Sequence, residues 1–416
     1  MKKRLLAFVT AALCTAGASA QVLTDPNLIV EPWCPPFSLS SPTGFAFIGN
    51  QDMLVIQKNN GRVRRVTNGV VQAGSVLDLP VNAQSERGLL GIALHPAWDT
   101  STSKYVYLFY TAAATDGATA IANRVSRFTW NGTALTSEQV IIDLPVTNGP
   151  NHDGGIIRFG PPGAVNQKLY IIIGDLNRSG QTQNQPAGAA PDNTGVVIRL
   201  NDDGTVPSGA DKGPFFDVAP SASSPTAMMY AYGIRNSFGM DFDHVTGHLW
   251  NTENGPSNND EANLVLPAFN SGWRTIMGPA PAPMPSLVTF GGVGIYRDPE
   301  FTWVNIVAPT GIHFYRGHTL GTEYANDCFV GSAVGGKLYH FPMPTTAAER
   351  TAFAITSKVL QPTDDDDEIL FGQGFGMTTD IGTGPDGHLY VAGYSNGTIY
   401  QIRRDTTGVD SWHLYE

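Results

Sequence analysis

The chain has 416 residues, 46 glycines, 29 prolines, only 15% charged residues and a formal net charge of −11. Ordinary apolar and aromatic content argues against a disordered chain, and the length suffices for a large core. The acidic balance argues against nucleic acid or an anionic membrane surface as a partner.

In chain order, the first segment reads as a leader. Lys2, Lys3 and Arg4 precede an apolar stretch from Leu5 to Cys14, and Ala18-Ser19-Ala20 supplies a small-residue cleavage site. The apolar stretch is too short for a membrane anchor. Residues 1–20 are therefore expected to be a signal peptide. Residues 21–416 are expected to form one domain, periplasmic or secreted, with a charge near −14 once the three cations are removed. Cys34 and Cys328 remain, either as a disulfide or as two separately buried thiols.

A repeat then runs along the chain. Each copy has a short apolar strand, a turn rich in Gly, Asp or Asn, and a second apolar strand. The first strands begin at Gly44, Gly88, Gly155, Ser237, Thr310 and Asp380. Their partners contain Met53–Ile56, Tyr105–Leu108, Leu169–Ile173, His248–Trp250, Cys328–Gly331 and His388–Val391. No amphipathic helix period of useful length interrupts them. Six units too small to bury both faces alone predict an all-β fold, a six-bladed β-propeller. The other arrangement considered is a β-sandwich with long insertions. In a propeller, loops distant in sequence converge at one end of the central channel, where ligand chemistry is expected.

Three segments carry chemistry suited to such an end. Asn151-His152-Asp153-Gly154-Gly155 precedes the first strand of the third copy, and Gly174-Asp175 follows its partner strand. If those strands pair, His152 and Asp175 meet at neighbouring strand ends, as a general base and its support or as a structural His in a turn. Gly233-Ile234-Arg235-Asn236 opens the fourth copy with forked donors able to hold carboxylate and carbonyl oxygens, or with a loop-tip salt bridge. Glu253-Asn254-Gly255-Pro256, followed by Asp260-Glu261, offers oxygen ligands of the kind calcium accepts, or a polar turn. The run Asp364–Asp367 reads as solvated surface. No CxxC pair, HExxH, GxSxG or phosphate-binding glycine loop is present, so zinc, serine-hydrolase and nucleotide readings lack support.

As an ordered set, these segments resemble the soluble pyrroloquinoline quinone-dependent glucose/sorbosone dehydrogenases. The likeness runs through Glu86–Pro96, His152–Gly155, Ile173–Asp175, Gly233–Gly239, Glu253–Glu261 and Asn270–Trp273, over nearly all of the chain after the leader. It implies that His152 is the base that takes the anomeric hydroxyl proton and that Asp175 supports it. It implies that Arg235 and Asn236 contact the quinone, and that the carbonyls of Gly255 and Pro256 hold calcium. A sugar substrate and an external electron acceptor follow from the same likeness. The chain departs from the family where cations are expected: Val334 stands in place of a lysine, and Met377 and Thr379 lie where arginines are expected. Lys337, Arg274 and Arg316 are the nearby cations to be placed. The alternative is a non-redox propeller of the same family that binds a carbohydrate or protein partner.

Overall fold

The computed structural model describes residues 21–161 and 167–406; the leader at residues 1–20 lies outside the described residues. Strands dominate it, and its α-helix is the single turn Pro225–Met228. No helix among the described residues is long and apolar enough to cross a membrane.

The strands form six sheets of four to six strands. All six strand pairs read from the repeat are antiparallel ladders, with Phe45 opposite Val55, Ile92 opposite Leu108 and Ile157 opposite Ile171. Met240 likewise faces Asn251, Ile312 faces Val330 and Ile381 faces Val391. The innermost strands are Pro42–Gly49, Leu89–Leu94, Ile157–Phe159, Gly239–Phe242, Pro309–Phe314 and Thr378–Thr383. Each packs against the next, and the sixth returns to the first, so the sheets close into a ring. The architecture is an all-β propeller.

The core explains the ring. Six apolar clusters each lie between two neighbouring sheets rather than within one. Leu54 and Ile56 of the first sheet meet Leu89 and Ile92 of the second, and Met53 and Val55 meet Tyr390 and Ile399 of the sixth. A middle strand such as Leu169–Ile173 is therefore buried along its whole length, one face against each neighbour. This is why its sequence is a continuous apolar run instead of an alternation. Each fully buried aliphatic side chain contributes about 1.5–3 kcal/mol that no single sheet could secure alone.

Two N-terminal strands complete the closure. Leu28–Pro32 pairs antiparallel with Thr398–Arg404, so an early and a late strand of the chain share the sixth sheet. Val22–Leu23 caps the fifth sheet against Leu370–Gln373. Both cover strands that would otherwise be exposed edges. Cys34 and Cys328 are two separate buried thiols, not a disulfide. Cys34 packs between the sixth and first sheets beside Thr398, and Cys328 lies in a cluster between the fourth and fifth.

Candidate active site

The starts of the inner strands line one cavity of about 580 Å³. Every sheet contributes: Thr43 and Lys58 from the first, Glu86 and Leu90 from the second, His152 and Ile156 from the third. Arg235, Asn236 and Phe238 come from the fourth, Ala308 and Thr310 from the fifth, and Met377 and Thr379 from the sixth. The volume lies within the usual range for small-molecule sites.

His152 stands in the loop entering the third sheet with φ +65°, a left-handed conformation that is uncommon for a non-glycine residue. Its backbone N–H donates to Glu86 Oε2 at 2.5 Å, which fixes the loop. Its imidazole Nδ1 lies 2.5 Å from Asp175 Oδ1. Asp175 is held in turn: Trp273 Nε1 donates to its Oδ2 at 2.8 Å and the Asn177 N–H donates to its Oδ1 at 2.9 Å. An ionised Asp175 requires the proton on Nδ1, so the Nε2 lone pair is the one left for chemistry. Gly174 permits this approach, because a Cβ there would sit 2.4 Å from the His152 carbonyl oxygen and 2.6 Å from that of Arg235. The pairing expected from strand register is therefore present. Neighbouring Asp153 turns into the core, where Asn123 Nδ2 donates to it at 2.9 Å.

Arg235 and Asn236 line the same cavity. Arg235 Nη1 donates to the Asn254 carbonyl at 2.8 Å, and its guanidinium lies 5.3 Å from the centre of the Trp273 ring. Asn236 Nδ2 donates to Glu86 Oε2 at 3.1 Å. Arg235 Nε and Asn236 Oδ1 are buried without a partner among the described residues, so both retain capacity for a ligand. Beneath them, Glu253 accepts from the Arg235 N–H at 2.6 Å and from Ser271 Oγ at 2.7 Å. Complete burial pushes the Glu253 carboxyl up to about 7, and burial with the nearby Glu253 charge raises Glu261 well above the usual range. The expected oxygen-ligand role of Glu253 and Glu261 leaves out the partners that other loops bring to them, Arg235, Ser271 and Gly278.

The loop after Glu253 is only partly as expected. Gly255 is buried and lines the cavity, whereas Pro256 is exposed and does not. Asp260 spends both carboxylate oxygens on backbone: Oδ1 accepts from the Gly255 N–H at 2.8 Å, and Oδ2 accepts from the N–H groups of Val307 and Ala308 at 2.7 and 2.8 Å. Among the described residues no three acidic, His or Cys side chains converge as a metal site. What this loop offers calcium is neutral carbonyl oxygen, a ligand type the ion accepts.

None of the three positions where the resemblance implied cations places a charge in the cavity. Met377 and Thr379 line it uncharged, and Val334 is exposed on a neighbouring pocket. Lys337 pairs with Asp366 of the acidic run at 2.5 Å, also in that pocket. Arg274 is exposed and donates to Ser179, while Arg316 pairs with Asp241 at the other end of the ring. The cavity's own cations are Arg235 and Lys58, and Lys58 carried no sequence signal beyond its type. With one lining carboxylate, Glu86, this set fits a flat anionic ligand: the size suffices, two cations face it, and two buried polar atoms await partners.

The family model for Glucose / Sorbosone dehydrogenase matches residues 39–401. An uncharacterized protein of Synechocystis is 30% identical over 391 residues, covering 88% of this chain and 84% of its own. The aldose sugar dehydrogenase of Escherichia coli K12 is 26% identical over 384 residues, covering 88% and 90%. The PQQ-bound form of the aldose sugar dehydrogenase from Streptomyces coelicolor shares the fold, with a TM-score of 0.64 at 22% identity over 91% of this chain and 98% of that one. The chain belongs to the Glucose / Sorbosone dehydrogenase family.

Proposed function

We propose that the protein is an exported quinoprotein oxidoreductase that oxidises the anomeric hydroxyl of aldose sugars. The observation that carries this reading is the His152–Asp175 pair, fixed through Nδ1 and opening on a cavity that Arg235 and Asn236 also line. Nε2 of His152 accepts the hydroxyl proton as the C1 hydride leaves, so the sugar loses two electrons and becomes a lactone. Asp175 holds the ring and stabilises the imidazolium that forms. Pyrroloquinoline quinone, when bound, would supply the hydride acceptor, and an external acceptor would be needed to reoxidise it. Arg235 and Asn236 would hold its carboxylates. Calcium would be held by the Gly255 and Pro256 carbonyls, as the resemblance implies. On this reading each of the six sheets is one blade of a single domain working outside the cytoplasm.

The uncharged Met377 and Thr379 on the cavity wall favour a second reading, a propeller of this family that binds a carbohydrate or protein partner without redox chemistry. Titration of metal-stripped protein with pyrroloquinoline quinone, with and without calcium, separates the two. Binding that tightens with calcium and supports dye reduction by an aldose is expected. No binding at high micromolar quinone would overturn the dehydrogenase reading in favour of the second.

A further inference from the structure

Pyrroloquinoline quinone carries three carboxylates, whereas Met377 and Thr379 line the cavity uncharged and Val334 lies exposed on a neighbouring pocket. One side chain on the cavity wall answers that deficit. Lys58 follows the strand Asp52–Gln57, lines the cavity and is only 9% exposed. Its ammonium donates to the Ser85 carbonyl at 2.6 Å, and more loosely to Asn59 Oδ1 at 3.3 Å and the Ala83 carbonyl at 3.5 Å. All three acceptors are neutral. Among the described residues Lys58 makes no salt bridge, unlike Arg65, Arg124 or Lys337. A buried cation without a carboxylate partner is costly unless a ligand supplies the charge. Burial indeed lowers its pKa, with only the more distant Glu86 and Asp153 charges opposing.

The position is also built for this side chain. The Lys58 N–H donates to the Ser41 carbonyl at 3.0 Å, and its carbonyl accepts from the Leu89 N–H at 3.1 Å. Gly88, at φ +140°, packs on it: a Cβ there would lie 2.4 Å from the Lys58 carbonyl oxygen and 2.8 Å from its Cγ. Space is thus kept for the lysine stem between the first and second sheets.

We propose that Lys58 is a cofactor-carboxylate ligand that acts with Arg235, the other cation of the cavity. The inference rests on the quinone reading of the cavity. The apo protein, with calcium present, is titrated with pyrroloquinoline quinone and separately with its trimethyl ester, following tryptophan fluorescence. The unaltered chain should prefer the free acid. Lys58→Met should weaken the acid about 10- to 150-fold, as for loss of a hydrogen bond to a charged group, and leave the ester nearly unchanged. Lys58→Arg should restore most of the affinity, and the salt dependence of acid binding should flatten in Lys58→Met. Thermal melting of each apo variant reports folding independently of the ligand. Two results overturn the inference while leaving the quinone reading intact: acid binding by Lys58→Met equal to that of the unaltered chain, or equal loss of acid and ester with a lowered melting temperature. The second would make Lys58 only a staple for the 83–85 loop. Binding of neither form by the unaltered chain overturns both the inference and the quinone reading.

Discussion

The ring carries a buried histidine–aspartate pair at each end, and the two are built differently. At the cavity end, His152 Nδ1 meets Asp175, and its Nε2 has no protein partner among the described residues. At the other end, where Asp241 lines a second cavity of about 450 Å³, His313 Nδ1 lies 2.9 Å from Asp241 Oδ2 while its Nε2 lies 2.8 Å from Thr383 Oγ1. Asp241 also accepts from Arg316 at 2.8 Å and from the Phe314 N–H at 3.1 Å. The far pair has both ring nitrogens occupied and serves as a polar clamp between the fourth, fifth and sixth sheets. The two pairs thus differ in whether the second ring nitrogen is taken up by the protein, and only an open nitrogen is free to accept a proton from a ligand.

The sharpest way to break this contrast is to delete each histidine. His152→Ala should lower dye-linked sugar oxidation by about 10²- to 10⁴-fold, the usual contribution of a general base, with melting little changed. His313→Ala should do the reverse, costing about 2–4 kcal/mol of stability through lost buried hydrogen bonds and leaving the turnover of folded enzyme essentially intact. The carboxylates extend the comparison. Asp175→Asn should reduce turnover by about 10²-fold, because an amide no longer selects the Nδ1–H tautomer. Asp241→Asn should chiefly destabilise, by about 3 kcal/mol, because it leaves Arg316 without its charge partner and unsettles His313.

The repeat was legible because each sheet is covered on both faces, which writes continuous apolar strands into the sequence at every copy. His152 and Asp175 were legible for the same reason. They lie just outside Ile157–Phe159 and Leu169–Ile173, and antiparallel pairing of those strands brings their ends together. Gly255 and Pro256 looked equivalent in a Gly-Pro pair, yet a tight loop anchored by Asp260 buries one and exposes the other. Lys58 was not recognisable as a site residue, and neither were the contacts of Trp273 with Asp175 and of Glu253 with Arg235. Their partners lie 18 to 98 positions away on other loops, and a lone lysine, tryptophan or glutamate carries no spacing signal. The fully occupied His313 was equally hidden, because Asp241 and Thr383 stand on other sheets, about 70 positions from it in either direction.

Smaller effects sharpen the contrast. Trp273→Phe keeps the ring beneath Arg235 but removes the N–H that holds Asp175 Oδ2. Turnover should fall about tenfold, in line with one lost hydrogen bond to a charged group. The two ends should also respond oppositely to pH. Glu253 is raised from 4.5 to about 7 by burial, so its contribution to stability is full below pH 4.5 and is lost as pH rises towards 7. Asp241 is buried too, but Arg316 and His313 hold it well below the usual range, so its contribution is present above pH 3.8 and is lost on acidification. Glu253→Gln should flatten the fall in melting temperature between pH 4.5 and 7, and Asp241→Asn should flatten the acid side.

On the proposed reading, His152 takes the substrate proton in a quinone-dependent oxidation. The most direct measurement is an anaerobic single turnover of calcium- and quinone-loaded protein with excess aldose, following cofactor absorbance, in the unaltered chain and in His152→Ala at matched quinone occupancy. Stoichiometric quinone reduction is expected in the unaltered chain, with a rate about 10²- to 10⁴-fold slower in the variant. Equal reduction rates at equal occupancy would contradict it and take the proton-transfer role away from His152.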